Sequence, residues 1–212
     1  MIRYPCYCHH CRYIWFEKPL QFIDKCPRCS STNIISSQEK ELQMIKIRNY
    51  NARRAEAYGK ELTTVDKMIL LRSDPHVHSE FEFSAQYAHR SFSATMREGL
   101  NCARFDNIDY QLHPERWDTI CIPLTPQEEA LAFDKAQELE GEPYDLIGLL
   151  SKVSKHDIIK PSDNAVWCSE TVNMLCVAGK PEILNALGEA NLTLEVTPAE
   201  LDWFYRYHYG DK

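Results

Sequence analysis

The sequence predicts an α+β fold that follows a small metal-binding module. Two Cys-x2-Cys pairs lie within the first 29 residues. Strand-like segments fill the middle of the chain and capped helices fill its last third, without the strict alternation of a parallel α/β sheet. We therefore predict a metal module at residues 1–35, a helical linker at 36–61, and a domain at 62–212 in which helices pack on an antiparallel sheet.

The metal module is predicted from the spacing of four cysteines. Cys8 and Cys11 form one pair, and Cys26 and Cys29 form the second after fourteen intervening residues. Two such loops supply a tetrahedral set of four thiolates, which is the preferred environment of structural zinc. Four thiolates also suit iron, so an iron–sulfur cluster is the alternative cofactor.

The linker is predicted to be helical from its composition. Segment 36–61 is rich in Glu, Lys, Arg and Gln, and Ser36 with Glu39 fits a capping box. It is either a connection between the domains or the first helix of the second domain.

The predicted strands come from short apolar or alternating segments. Residues 66–73 form an apolar run that indicates a buried strand, and residues 77–84 alternate between apolar and polar side chains. Residues 90–96 and 117–124 are the further strand candidates.

Capping signals define the helices. Thr125 begins a helix that ends at Gly141, residues 167–179 form a second, and Thr197 with Glu200 opens the last.

Cys168 is the candidate nucleophile because it lies at the start of a predicted helix. The amides and the dipole of a helix N-terminus stabilise a thiolate and lower the thiol pKa. His78, on the polar face of the alternating strand, is the candidate base. Cys176 lies two turns further on among apolar residues and is interpreted as a structural thiol.

Several motifs resemble a known superfamily. MILLRSDPHVHSEFEFS, FSATMREGL, EPYDLIGLL and WCSETVNML occur in that order along the chain. Together they resemble the circularly permuted branch of the papain-like, NlpC-type superfamily, which includes the YiiX-like hydrolases and the lecithin retinol acyltransferase group. In that branch the histidine strand precedes the nucleophile helix.

The resemblance implies roles for particular residues. Cys168 would be the nucleophile and His78 the base, with His76 as the rival on the same face of the strand. Ser93 occupies the position where the family often places a third polar residue, and Glu80 is the alternative group to orient the imidazole.

The resemblance also implies a function. A cysteine peptidase or amidase is expected, with peptidoglycan peptides as the commonest substrate and a bacteriophage tail or lysis protein as a fitting context. The alternative is a non-catalytic structural or assembly protein of a virion, in which the metal module at residues 1–35 docks to virion or tail partners. An open cleft beside Cys168 favours the hydrolase, whereas a thiol sealed under side chains favours the virion protein.

Charge and hydropathy exclude other classes. The net charge is −7, which argues against nucleic acid as a partner of the whole chain, although residues 1–60 hold eleven Lys/Arg against five Asp/Glu. There is no apolar run of roughly 20 residues and no signal-peptide stretch, so we expect no membrane span. We expect a chain that is cytoplasmic as synthesised, with a virion as the alternative later location.

Overall fold

The computed structural model describes residues 4–8, 14–17, 29, 34–36, 42–96, 101–154 and 165–210. The chain divides into two compact units, residues 1–42 and residues 43–212. Each unit is described by itself.

The first unit contains a three-stranded antiparallel sheet. Its strands are β1 (Tyr4–Cys8), β2 (Ile14–Glu17) and β3 (Ile34–Ser36), in the order β2-β1-β3. Cys8 is the last residue of β1, opposite Ile34 of β3.

The second unit contains a five-stranded sheet in which every pair of neighbours is antiparallel. The strands are β4 (Gln43–Asn51), β5 (His76–Glu82), β6 (Ser91–Thr95), β7 (Cys102–Asp106) and β8 (Trp117–Leu124). Their spatial order is β7-β6-β5-β4-β8, so β4 lies between β5 and β8. The predicted α+β class, an antiparallel sheet packed with helices, is confirmed for this unit.

Two short helices precede β5, and five more follow β8. The first two are α1 (Ala52–Ala57) and α2 (Thr64–Ser73). The later ones are α3 (Pro126–Leu139), α4 (Leu146–Ser154), α5 (Cys168–Gly179), α6 (Glu182–Glu189) and α7 (Pro198–Tyr209). Among the residues described, no helix combines the length and the apolarity needed to cross a membrane.

The helix predicted at 36–61 is wrong over most of its described part. Gln43–Asn51 is strand β4, and only Ala52–Ala57 is helical. Ile45 and Ile47 of β4 are fully buried, while Lys46 and Arg48 point to the opposite face and are less buried. Burial of this alternating face outweighs the intrinsic helix preference of a Lys- and Arg-rich segment.

The strand predicted at 66–73 is also wrong, because these residues belong to helix α2. Thr63 caps the helix: its hydroxyl accepts from the Asp66 amide, and the Asp66 carboxylate accepts from the Thr63 amide at 3.1 Å. Only Ile69 and Leu70 of the apolar run are buried, whereas Met68 and Leu71 are exposed. The run is therefore one face of a helix.

The remaining predictions of secondary structure agree with the structure. Strands β5, β6 and β8 cover the predicted segments, and helix α5 begins at Cys168. Thr125 and Thr197 cap the N-termini of α3 and α7 with complete capping boxes, as predicted.

Two hydrophobic clusters stabilise the second unit. The larger forms where the sheet meets α3, α5, α6 and α7, with Phe81, Phe92 and Leu175 among its buried side chains. The smaller surrounds α1, α2 and the start of β5, and it includes Val77 and Trp167. The first turn of α5 follows Trp167 directly, so the smaller cluster anchors the start of that helix.

A candidate cysteine–histidine active site

The start of helix α5 is held in place by hydrogen bonds to the segment before α7. The Trp167 indole N–H and the Ser169 hydroxyl both donate to the Val196 carbonyl, and the indole contact is 2.9 Å. The Thr171 hydroxyl donates to the Trp167 carbonyl at 2.8 Å. These contacts fix the position of Cys168, the first residue of the helix.

The Cys168 thiol and the His78 imidazole of β5 are close enough for each to shift the pKa of the other through hydrogen bonding and charge. The Nε2 atom of His78 contacts Glu80 Oε1 at 2.7 Å. The imidazole has a second nitrogen, Nδ1, through which it can also bond the thiol. The structure thus brings together the two residues that were predicted to form the nucleophile and the base.

The electrostatics of the pair favour its charged form. Burial opposes charge on both groups, but their hydrogen bond and mutual attraction lower the pKa of Cys168 and raise the pKa of His78. The backbone amides of Ser79 and Ser169 also donate to the sulfur and lower the thiol pKa further. Both shifts favour a thiolate–imidazolium pair over two neutral groups.

Glu80, rather than Ser93, contacts the imidazole. The Glu80 carboxylate is 1% exposed and accepts from His78 Nε2, and Arg104 Nη1 lies 3.5 Å from the same oxygen. The Ser93 hydroxyl donates to the Ser79 carbonyl at 2.6 Å. Ser93 therefore contacts the backbone of β5, while Glu80 contacts the His78 imidazole.

His76, the rival base, belongs to a different cluster. Its Nε2 donates to Asp118 Oδ2 at 2.8 Å. Burial opposes the charge of the Asp118 carboxylate, but hydrogen bonds from His76, Asn51 and Arg54 hold its pKa well below the usual value. No contact between His76 and Cys168 is found.

A cavity of about 490 Å³ lies against His78. Its apolar lining consists of Tyr50, Leu62, Val65, Ile69, Val77, Met96 and Tyr144. Its polar lining includes Lys60 and Glu61, which are exposed, together with Thr95. A substrate held in this cavity would contact the His78 side chain.

The thiol itself is covered. Cys168 has no exposed surface and does not line the cavity, whereas His78 does. A substrate can reach the sulfur only after the surrounding side chains move. The sulfur of the cysteine–histidine pair is therefore closed to solvent.

The four cysteines of the predicted metal site are only partly described. Cys8 ends β1 and Cys29 is exposed in a turn, while Cys11 and Cys26 lie outside the described residues. Within the part of the chain that the structure describes, no group of three or more metal-ligating side chains is found. The four-cysteine site stays a prediction, because that search does not reach all four residues.

Comparisons with known proteins give no relative. No protein-family model, curated protein or solved structure matches this chain.

Two features of the site were missed in the sequence. Asp118 was not among the candidate residues, yet it is the partner of His76. Glu170 lies two residues after Cys168, in the first turn of α5, and burial raises its pKa to about 7. Its carboxylate accepts from the Trp167 amide at 3.3 Å, which matches the capping pattern of a residue three positions into a helix. That spacing was the available signal.

Proposed function

We propose that the protein is a cysteine amidohydrolase or peptidase that acts through a thioester on Cys168. The observation that carries this proposal is the hydrogen-bonded series Cys168–His78–Glu80, at the start of a helix and beside a cavity. A nucleophile, a base and a group that orients the base are the parts that acyl transfer requires. The order of these residues along the chain agrees with membership of the permuted papain-like branch, which we propose as the family.

In the proposed reaction, the Cys168 thiolate attacks the carbonyl carbon of an amide. The oxygen becomes an oxyanion that backbone amides of the first turn of α5 can stabilise. The C–N bond then breaks as the His78 imidazolium gives its proton to the leaving amine. A water, deprotonated by His78, hydrolyses the thioester to a carboxylic acid and restores the thiol.

The substrate is proposed to be a peptide-like amide. The cavity has an apolar wall with charged residues of both signs at Lys60 and Glu61, which suits a substrate with apolar and polar parts. Peptidoglycan peptides fit this description, and a role in a bacteriophage tail or lysis protein is the context that the family resemblance suggests.

Site-selective alkylation tests the proposal without knowledge of the substrate. The protein is treated with iodoacetamide near neutral pH, and modification of each cysteine is followed by peptide mass spectrometry. Cys168 should react through its thiolate, and Cys168→Ala should remove that signal together with any hydrolysis of peptidoglycan peptides.

Cys176 supplies the matched control. It lies in the same helix and is equally buried, but burial raises its pKa to about 12. It should stay unmodified, and Cys176→Ala should keep both labelling of Cys168 and hydrolysis. If Cys168 and Cys176 are equally inert in the folded protein, the hydrolase proposal fails.

One observation favours a second function. Because Cys168 has no exposed surface, the domain can also serve as a non-catalytic structural protein of a virion. A thiol that never reacts in the folded state, in a protein that binds virion or tail proteins, would support this alternative.

We also propose zinc as the cofactor of the first unit, held by Cys8, Cys11, Cys26 and Cys29. Four thiolates in two Cys-x2-Cys pairs are the donor set that supports it. A unit this small gains much of its folding free energy from a bound metal.

A further inference from the structure

A second cavity, of about 440 Å³, lies between the start of β5 and helix α7. Pro75 and His76 line one side, and Asp202, Trp203, Arg206 and Tyr207 line the other. Neither Cys168 nor His78 is among its lining residues, so it is distinct from the site described above.

Two exposed aromatic side chains form one wall of this second cavity. Trp203 and Tyr207 lie one turn apart on α7, with 56% and 68% of their surfaces exposed. Their rings are nearly parallel, at an interplanar angle of 16° and with centroids 6.0 Å apart. Large aromatic side chains usually bury most of their surface, so an exposed pair on a cavity wall indicates a binding surface.

A buried nitrogen without a partner lies on the opposite wall. His76 is 5% exposed, and its Nδ1 has no hydrogen-bond partner. His76 Nε2 donates a hydrogen bond to Asp118 Oδ2 at 2.8 Å, which places a ring hydrogen on Nε2. Nδ1 is then a hydrogen-bond acceptor, and a ligand that donates there would satisfy it.

The charged groups of this cavity are already paired. Arg206 Nε donates to Asp202 Oδ2 at 2.7 Å, and Asn49 donates to the other oxygen of Asp202 at 2.9 Å. Asp74, which also lines the cavity, is bridged to Arg53 at 3.0 Å. An ionic ligand would have to break one of these pairs, so an uncharged ligand fits better.

We propose that this cavity binds a neutral sugar ring of a glycan. A pyranose has an apolar C–H face, which matches the exposed rings of Trp203 and Tyr207. It also has hydroxyl groups around its rim, one of which can donate to His76 Nδ1. The proposal needs no catalysis by Cys168 and stands apart from the proposed hydrolase function.

The test is binding of three neutral oligosaccharides to the full chain, measured by isothermal titration calorimetry: the tetramer of N-acetylglucosamine, cellotetraose and maltotetraose. At least one should bind. Trp203→Ala and Tyr207→Ala should weaken that binding on the order of tenfold or more, because aromatic contacts at the centre of an interface dominate affinity. The control is Tyr58→Ala, since Tyr58 is 65% exposed but does not line this cavity.

His76→Gln probes the proposed hydrogen bond. Glutamine keeps a donor for Asp118 and lacks the acceptor at Nδ1, so binding should weaken by roughly threefold to tenfold. If this variant does not fold, as judged by circular dichroism, the exposed Trp203 and Tyr207 variants decide the question.

Three results would overturn the proposal. The first is that none of the three oligosaccharides binds at millimolar concentration. The second is that binding persists unchanged in Trp203→Ala, and the third is that tetramethylammonium, a cationic probe, binds at this cavity in place of the sugars. Cys168→Ala should bind the sugar as wild type does, so loss of hydrolase activity and loss of this site are separable.

Discussion

Replacing Glu80 with Gln should make the Cys168 thiol harder to ionise. In the wild-type protein the Glu80 carboxylate accepts from His78 Nε2 at 2.7 Å and has only 1% of its surface exposed. Gln keeps the size of the side chain but removes the negative charge that stabilises the imidazolium. The pKa of His78 should fall, and the pKa of Cys168 should rise because it loses its charged partner.

The size of the effect follows from the strength of the contact. A buried hydrogen bond to a charged group contributes about 1.5–3 kcal/mol. Since 1.36 kcal/mol corresponds to one pKa unit, the midpoint for ionisation of the thiol should move about 1–2 pH units upward. The midpoint should move upward, because a thiol that loses its charged partner forms a thiolate only at higher pH.

The assay is the pH dependence of iodoacetamide modification at Cys168, followed by peptide mass spectrometry. The midpoint is compared between proteins, since burial of the sulfur slows the rate in all of them. Ser93→Ala is the control: the Ser93 hydroxyl donates to the Ser79 carbonyl and does not contact the imidazole, so the midpoint should stay in place. A midpoint that moves in Ser93→Ala and not in Glu80→Gln would refute the assignment of Glu80 as the orienting group.

Three further predictions concern stability, metal and domain limits. Burial raises the pKa of Glu170 from 4.5 to about 7, so between these values the folded state holds a proton that the unfolded state has released, and the free energy of unfolding should fall as pH rises. Glu170→Gln should remove up to about 3 kcal/mol of that pH dependence, measured by urea unfolding at pH 4.5–7. An unchanged dependence on pH in the variant would contradict this prediction. The purified protein should hold about one zinc per chain by atomic absorption. Cys11→Ser should lose the zinc, whereas Cys6→Ser, which lies outside the two cysteine pairs, should retain it. Equal loss of zinc in the two variants would contradict the proposed ligand set. A chain that begins at Gln43 should give a cooperative thermal transition. A chain that begins at Thr63 should not, because it lacks β4, which lies between β5 and β8. Folding of the shorter chain would show that β4 is dispensable.

The candidate site was largely predictable because its signals are local. Alternation along β5 places His78 and Glu80 on one face, since side chains two residues apart on a strand share a side. The start of α5 at Cys168 follows from the helical segment that ends at Gly179. Neither signal requires knowledge of distant parts of the chain.

The choice between Ser93 and Glu80 was not predictable from local signals. Ser93 and Glu80 lie on neighbouring strands, and the register between β5 and β6 pairs Phe81 with Phe92. The Ser93 hydroxyl donates its hydrogen bond to the Ser79 carbonyl, and this contact forms only in the assembled sheet. Covering of the thiol likewise depends on tertiary packing.

The errors in β4 and α2 have opposite physical causes. In β4, burial of Ile45 and Ile47 in a strand between β5 and β8 outweighs the helix propensity of its residues. The alternation of these residues with Lys46 and Arg48 was visible in the sequence. In α2, a short apolar run suggested a strand, and the capping pair Thr63 and Asp66 was the overlooked signal. A short apolar run alone does not distinguish a strand from one face of a helix.

The place of β4 in the sheet has a consequence for how the protein is made. β4 emerges first from the ribosome in the second unit, yet one of its two edges pairs only with β8, which is translated after β5, β6 and β7. Helix α5, which carries Cys168, is translated later still. Each nascent chain therefore passes through a stage in which His78 and Glu80 are already synthesised but Cys168 is not, and the Cys168 thiol is made only when nearly all of its surrounding structure is available to enclose it.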